Sequence, residues 1–248
     1  MFDFVKRLQV PQDSIFYSMI QYKNEILGFG RHHYTHGLTI KGIKLDSSFN
    51  IIEKDRYACI GEDPRCFIHR DKLYILNNYL NGGNLVDYET NLQLKLNLSG
   101  KNFSFISHAD SLYIIHCIKP FRLFKIDLNS GLIQSVEVHD DGKNYNYEYR
   151  GGTPGYKMGE SSYYGFGHRT YYVDGNLRHD VFQWIVRFDG VRPTIKIVEV
   201  AQPPNSKNLC DPTSVINVDG IDYMITAESD YAWFQPQDYV NNVYKITW

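Results

Sequence analysis

The sequence predicts an all-β chain folded as a five-bladed β-propeller, with the ring closed by pairing an N-terminal strand with the C-terminal blade. Three observations predict it. A turn leading into an apolar strand recurs five times along the 248 residues. A second phrase runs between these copies, an alternating strand ending in Asp and a tight turn, which is the mark of a β-hairpin. Units of roughly 40 to 60 residues, with about four short strands each, are the repeat of a propeller.

The first phrase reads Tyr22-Lys23-Asn24-Glu25-Ile26-Leu27-Gly28-Phe29-Gly30, then His69 to Leu76, His108 to Ile115, Gly159 to Phe166 and Val218 to Ile225. In each copy polar turn residues precede apolar and aromatic side chains suited to a pleated, half-buried surface. The second phrase reads Ile43-Lys44-Leu45-Asp46, Leu85-Val86-Asp87, Phe124-Lys125-Ile126-Asp127 and Val186-Arg187-Phe188-Asp189, its aspartates 41, 40 and 62 residues apart. The longer intervals fit inserted loops near 139–149, 169–181 and 201–209. A fifth copy, Tyr244-Lys245-Ile246-Thr247-Trp248, lacks its turn and outer strand. The alternating run from Phe4 to Val10 can supply that strand and so remove an exposed sheet edge. With no linker or low-complexity stretch, residues 1–248 are expected to form one domain.

A net charge of −2 gives no electrostatic footprint for nucleic acid or an anionic membrane surface. No stretch approaches the ~18 apolar residues of a membrane span. The four cysteines form no CxxC pair and read as free thiols. The expectation is a soluble, cytoplasmic protein. The 20 Tyr, 14 Phe and 3 Trp serve strand formation and core packing, and some could stack on sugar faces.

The innermost strands of a propeller converge on its axis, so polar groups at their ends share one funnel. Arg31, His32 and His33 follow the first apolar strand. Glu62, Asp63 and Arg65 precede the second, with Asn77 and Asn78 after it. Ser107, His108, His116 and Lys119 flank the third. Arg150 and His168 flank the fourth, and Asp211, Glu228 and Asp230 the fifth. Charge recurring at equivalent positions of all units predicts a polar central site.

Three of these phrases together resemble glycoside hydrolase family 130: Glu62-Asp63-Pro64-Arg65; Arg150-Gly151-Gly152-Thr153-Pro154 followed by His168; and Asp211-Pro212-Thr213 with Ala227-Glu228-Ser229-Asp230. That family holds five-bladed β-mannoside phosphorylases and related mannosyltransferases. The resemblance implies a glycosyl-transferring enzyme, β-mannosyl and inverting, with Asp63 as general acid acting through a sugar hydroxyl. A carboxylic acid beside another carboxylate holds its proton longer, which suits that task. It further implies that Arg31, Arg65, Asn78 and Asp230 position the carbohydrate and that Arg150 and His168 bind phosphate. A Lys is usual where this chain has Arg150, and Arg can equally hold a sugar phosphate. Inorganic phosphate or a sugar phosphate would be a co-substrate, with no cofactor.

The spacing of His32, His33, His36 and His168 shows no metal-ligand pattern, so no metal is expected. Two other readings stand beside this one. A two-carboxylate hydrolase would draw its second carboxylate from Glu148, Glu228 or Asp211. A propeller can also serve as a sugar- or protein-binding module without catalysis.

Overall fold

A computed structural model of the protein describes residues 1–11, 13–34, 37–54, 57–79, 82–98, 100–140, 148–231 and 238–248. The chain opens with β1 (Phe2–Arg7), which pairs antiparallel with the last strand, β22 (Val240–Ile246). The two ends thus meet as the sequence predicts, two residues earlier than the run starting at Phe4 suggested. One sheet holds β2 (Ser14–Tyr22), β3 (Glu25–Tyr34), β4 (Gly37–Leu45) and β5 (Ile51–Glu53), with β6 (Ala58–Ile60) also against β4. A second holds β7 (Glu62–His69), β8 (Lys72–Tyr79), β9 (Gly82–Asp87) and β10 (Gln93–Leu96). A third holds β11 (Ser104–His108), β12 (Ser111–Cys117), β13 (Arg122–Ile126) and β14 (Ile133–Val136).

The remaining strands form a nine-stranded sheet made of two antiparallel groups. One is β15 (Glu148–Arg150), β16 (Tyr156–Lys157), β17 (Ser162–Val173), β18 (Asn176–Arg187) and β19 (Thr194–Glu199). The other is β20 (Leu209–Val218), β21 (Ile221–Ser229), β22 and β1. A single parallel pair, His179 beside Leu209, joins them. Among the described residues the structure is all β, and no helix is long and apolar enough to cross a membrane.

Local chemistry explains the repeat. Lys23-Asn24, Arg70-Asp71, Ala109-Asp110 and Asp219-Gly220 each place two successive residues at positive φ, between 44° and 80°. That is the type I′ hairpin turn, whose twist matches the strands it joins. The aspartates of the second phrase close the next turn differently. Asp46 accepts the Ser48 and Asn50 amides at 2.9 and 2.8 Å, Asp87 those of Glu89 and Thr90 at 3.0 Å, and Asp127 that of Asn129 at 3.0 Å. These are Asx turns, in which a side chain replaces a backbone acceptor.

The expected loop at 169–181 is instead strand. β17 and β18 pair continuously from Ser162–Arg187 to Val173–Asn176, around an Asp174-Gly175 turn with both φ positive. Each strand of this hairpin runs 12 residues, so the added length of this unit extends the hairpin instead of looping out.

Hydrophobic clusters fill the space between neighbouring groups. Leu27 and Ile40 pack with Leu73 and Ile75; Phe67 and Leu76 with Phe105 and Ile114. Ile106 and Ile115 pack with Phe182 and Trp184; Phe166 and Val181 with Val215 and Met224. Ile216, Ile225 and Val243 pack back on Tyr17, Met19 and Ile43 of the first sheet. Trp184 is fully buried, and its ring occupies the space that a side chain at Gly165 would need. The first strands of the groups face one another, β2 lying against β7 and β20, and β7 against β11.

Candidate active site

Three of these first strands carry the same defect near their N-terminal ends. Register shifts fall between Ile15 and Ser18 in β2, Glu62 and Arg65 in β7, and Pro212 and Ser214 in β20. An extra residue in one strand leaves it unpaired and re-aims its side chains, and bulges concentrate at such sites. Asp63 and Phe16 sit at the bulges with φ of 49° and 54°, a strained region for residues with a side chain. Pro64 and Pro212 lack the amide that an uninterrupted ladder would require. Thr213 at the third bulge donates its hydroxyl to the Tyr17 carbonyl at 2.6 Å, tying β20 to β2.

The bulges gather a dense set of charges. Arg31 Nη1 donates to Asp63 Oδ1 at 2.7 Å and to Glu62 Oε2 at 3.2 Å. Lys101 Nζ lies 2.9 Å from Glu62 Oε1 and 3.8 Å from Asp63 Oδ2. The Arg31 guanidinium also sits over the Phe16 ring, 5.2 Å from its centroid, and Phe16 contacts Tyr239 at 5.0 Å. Arg65 is buried; its Nη1 donates to the Pro64 carbonyl at 3.0 Å and its Nη2 to Asn102 Oδ1 at 3.3 Å, while its Nε has no hydrogen-bond partner among the described residues. Burial lowers its pKa against the opposing pull of Asp63 and Asp211.

A second group adjoins the first. Asp211 Oδ1 accepts from His179 Nδ1 at 2.7 Å, and His168 Nδ1 lies 3.2 Å from the same oxygen without the alignment of a hydrogen bond. The two imidazoles stack at 4.5 Å. Burial would raise the Asp211 carboxyl, but His168, His179 and Arg65 outweigh it and hold it at about 2. Burial drives His168 down to about 3, with His179, Arg150 and Arg65 adding to the effect and Asp211 opposing it. At neutral pH Asp211 is ionised and His168 neutral. Tyr239 links the groups: burial raises its hydroxyl, Asp211 and Asp63 add to that, and Arg31 opposes.

The structure therefore brings together Arg31, Asp63, Arg65 and His168. Arg150 lies directly across the strand pair from His168, with its half-exposed side chain bonded to Glu148 Oε2 at 2.8 Å. Asp230 lies farther out, beside Lys207 at 3.1 Å and the Asn208 amide at 3.4 Å. Glu228, two residues before it, is fully buried and accepts from Tyr244 at 2.8 Å. Asn78 pairs through its backbone with Glu62, while its side chain, like that of His33 and all of His36, lies outside the described residues. Lys101, Asn102, Tyr239 and His179 carry no signal in the repeat and emerge only from the fold. Volume alone does not locate this site. An open groove of about 630 Å³ runs along the turns of Arg70, Asp110 and Asn129, and its one buried imidazole, His69, is already bonded to Ser107. Concentrated buried charge is the better guide.

No family model and no curated protein matches this sequence. Solved structures do match its fold. A mannose phosphorylase from Leishmania mexicana, solved with phosphate ion, aligns with a TM-score of 0.65 at 11% identity, covering 95% of this chain and 84% of that one. A structure from glycoside hydrolase family 130, mannoside phosphorylases that include hydrolases of β-1,2-mannosidic linkages in Candida mannan, aligns at 0.60 and 9% identity over 93% and 84% of the two chains. A family 62 α-L-arabinofuranosidase domain from Coprinopsis cinerea aligns at 0.62 and 10% identity over 98% and 96%. The structural neighbours thus include family 130 mannoside phosphorylases, and at these identities the likeness is one of fold.

Proposed function

We propose that this chain is a single five-bladed propeller domain and a carbohydrate-active enzyme that transfers a glycosyl unit, β-mannosyl, with inversion. Five strand groups linked in cyclic order by their packed clusters support the ring. The observation that carries the function is Asp63: a carboxylate at a strained bulge, buried among Arg31, Glu62 and Lys101 where the first strands face one another.

Asp63 is the acid–base residue: as a carboxylate it takes the acceptor's proton through a sugar hydroxyl as phosphate leaves, and once protonated it returns that proton to the glycosidic oxygen in the reverse reaction. A leaving glycosidic oxygen needs a proton as its bond breaks, and a positioned acid that supplies it contributes about 10²–10⁴-fold. Arg31 fixes the carboxylate, so its orientation is set before substrate arrives. Arg65 presents a buried guanidinium able to grip hydroxyls or an anion with two parallel bonds. Arg150 supplies accessible positive charge for phosphate or a sugar phosphate, and neutral His168 can offer it an N–H. Asn78 and Asp230 border the carbohydrate.

Incubation with mannose 1-phosphate and a panel of sugar acceptors, followed by phosphate assay, tests this. Acceptor-dependent release that falls about 10²-fold or more in Asp63→Asn, with unchanged circular dichroism, is expected. Normal turnover by that variant removes the assignment. Free sugar released without phosphate would make the enzyme a hydrolase.

A further inference from the structure

We propose that His168, His179 and Asp211 hold a divalent first-row transition metal of the zinc class. The three come from different strands, and the topology explains their meeting. His168 on β17 lies opposite Val181 of β18, so His179, two residues along, is its diagonal neighbour on the same sheet face. The parallel pair of His179 with Leu209 then brings the start of β20, and Asp211 with it, against that face.

The distances suit an ion. The three donor atoms all lie within 4.8 Å of one another, and both Nδ1 atoms face one carboxylate oxygen, at 2.7 and 3.2 Å. Donors bound tetrahedrally to zinc at about 2.0–2.2 Å stand about 3.3 Å apart. The His179–Asp211 contact must open by about 0.6 Å, while the His168–Asp211 distance already matches. The donor chemistry is selective as well. Two imidazoles and one carboxylate suit zinc and its neighbours, whereas calcium and magnesium require oxygen ligands. Three protein ligands leave a coordination position open.

His168 supplies independent support. Its side chain is 2% exposed, yet among the described residues neither ring nitrogen has a hydrogen-bond partner. Leaving a buried polar group unmet costs about 1–3 kcal/mol, and such groups in native structures require an explanation. A metal accepting its lone pair supplies one. Coordination through His179 Nδ1 requires the proton now shared with Asp211 to move to Nε2 or leave to solvent. Arg65, whose charge also acts on Asp211, opposes a dication, so the affinity is that of an open three-ligand site rather than a closed structural one.

The test uses the full chain, stripped with a chelator and titrated with Co²⁺. One equivalent should bind per chain, with the visible absorption of histidine-ligated cobalt, and zinc should displace it. Affinity should fall at least tenfold in His179→Ala and separately in Asp211→Asn, near-ultraviolet circular dichroism confirming that each variant is folded. Should either fail to fold, His168→Gln takes its place. Zinc should also raise the melting temperature of the wild-type chain. Asp63→Asn should bind the metal normally, which separates this proposal from the glycosyl-transfer reading. Absence of bound cobalt, or binding unchanged in all three ligand variants, overturns it.

Discussion

Replacing Arg31 with Met tests whether the buried Arg31–Asp63 pair stabilises the fold. The two side chains are 8% and 11% exposed and meet at 2.7 Å. Breaking a buried pair by removing one partner costs about 3–5 kcal/mol, because the other charge is left uncompensated. Here Lys101 remains, 3.8 Å from Asp63 Oδ2 and half exposed, and carries part of the compensation. The cost therefore falls at or just below that range, and Arg31→Met should lose about 2–3 kcal/mol. With a urea m-value near 3 kcal/mol/M, the unfolding midpoint falls by about 1 M. Equilibrium unfolding followed by tryptophan fluorescence and far-ultraviolet circular dichroism reads this. The double variant with Asp63→Asn has no stranded carboxylate and should recover about 1–2 kcal/mol of the loss. A single-variant loss below about 0.5 kcal/mol, or strict additivity in the double, refutes the reasoning.

Two further outcomes follow from the fold. A Cβ at Gly165 would stand 2.2 Å from Trp184 Cζ2 and 2.6 Å from Cε2, so Gly165→Ala should cost about 1–3 kcal/mol by overpacking and lower Tm by several degrees in a thermal melt. Asp46 and Asp127 are held below the usual carboxylate range by their turn hydrogen bonds, and Asp87 by the Thr90 amide and Lys72 against its burial. Depressed values contribute stability that is fully present above the unfolded pKa of about 3.9 and lost as pH falls through the lower folded values. Urea midpoints between about pH 2 and 6 should therefore drop on the acid side, and the drop should shrink when all three become Asn; an unchanged profile would show that these turns do not couple to folding.

The fold was legible because its repeat is written in turn chemistry. Lys23-Asn24, Arg70-Asp71 and Asp219-Gly220 tolerate the positive φ that a tight hairpin imposes, and each precedes a strand whose apolar alternation sets the register. The β17–β18 hairpin departs from the expected loop because residue spacing reports the length of a unit and not whether the added residues pair, and here they pair along both 12-residue strands. Pairing β1 with β22 was legible for the opposite reason. The last unit ends one strand short, and the first residues alternate without a hairpin partner of their own.

The site was legible only where its chemistry coincides with backbone punctuation. Asp63-Pro64 and Asp211-Pro212 mark strands that cannot keep an unbroken ladder, and both became bulges that hold charged side chains in the buried cluster. Asn102 and His179 lack any such mark. Asn102 reaches the site from the chain just before β11, and His179 stands in the middle of a long strand whose alternation says only which face it is on. Their roles depend on which strands become neighbours, above all on the one parallel pair that sets β20 against β18. A sequence motif search finds ligands that share a turn or a helical face. Ligands assembled across three strands have no characteristic spacing, because the number of residues between them reports hairpin length and not distance. The absence of a metal motif around His168 was thus no argument against a metal site, and the cobalt titration decides the question on the geometry alone.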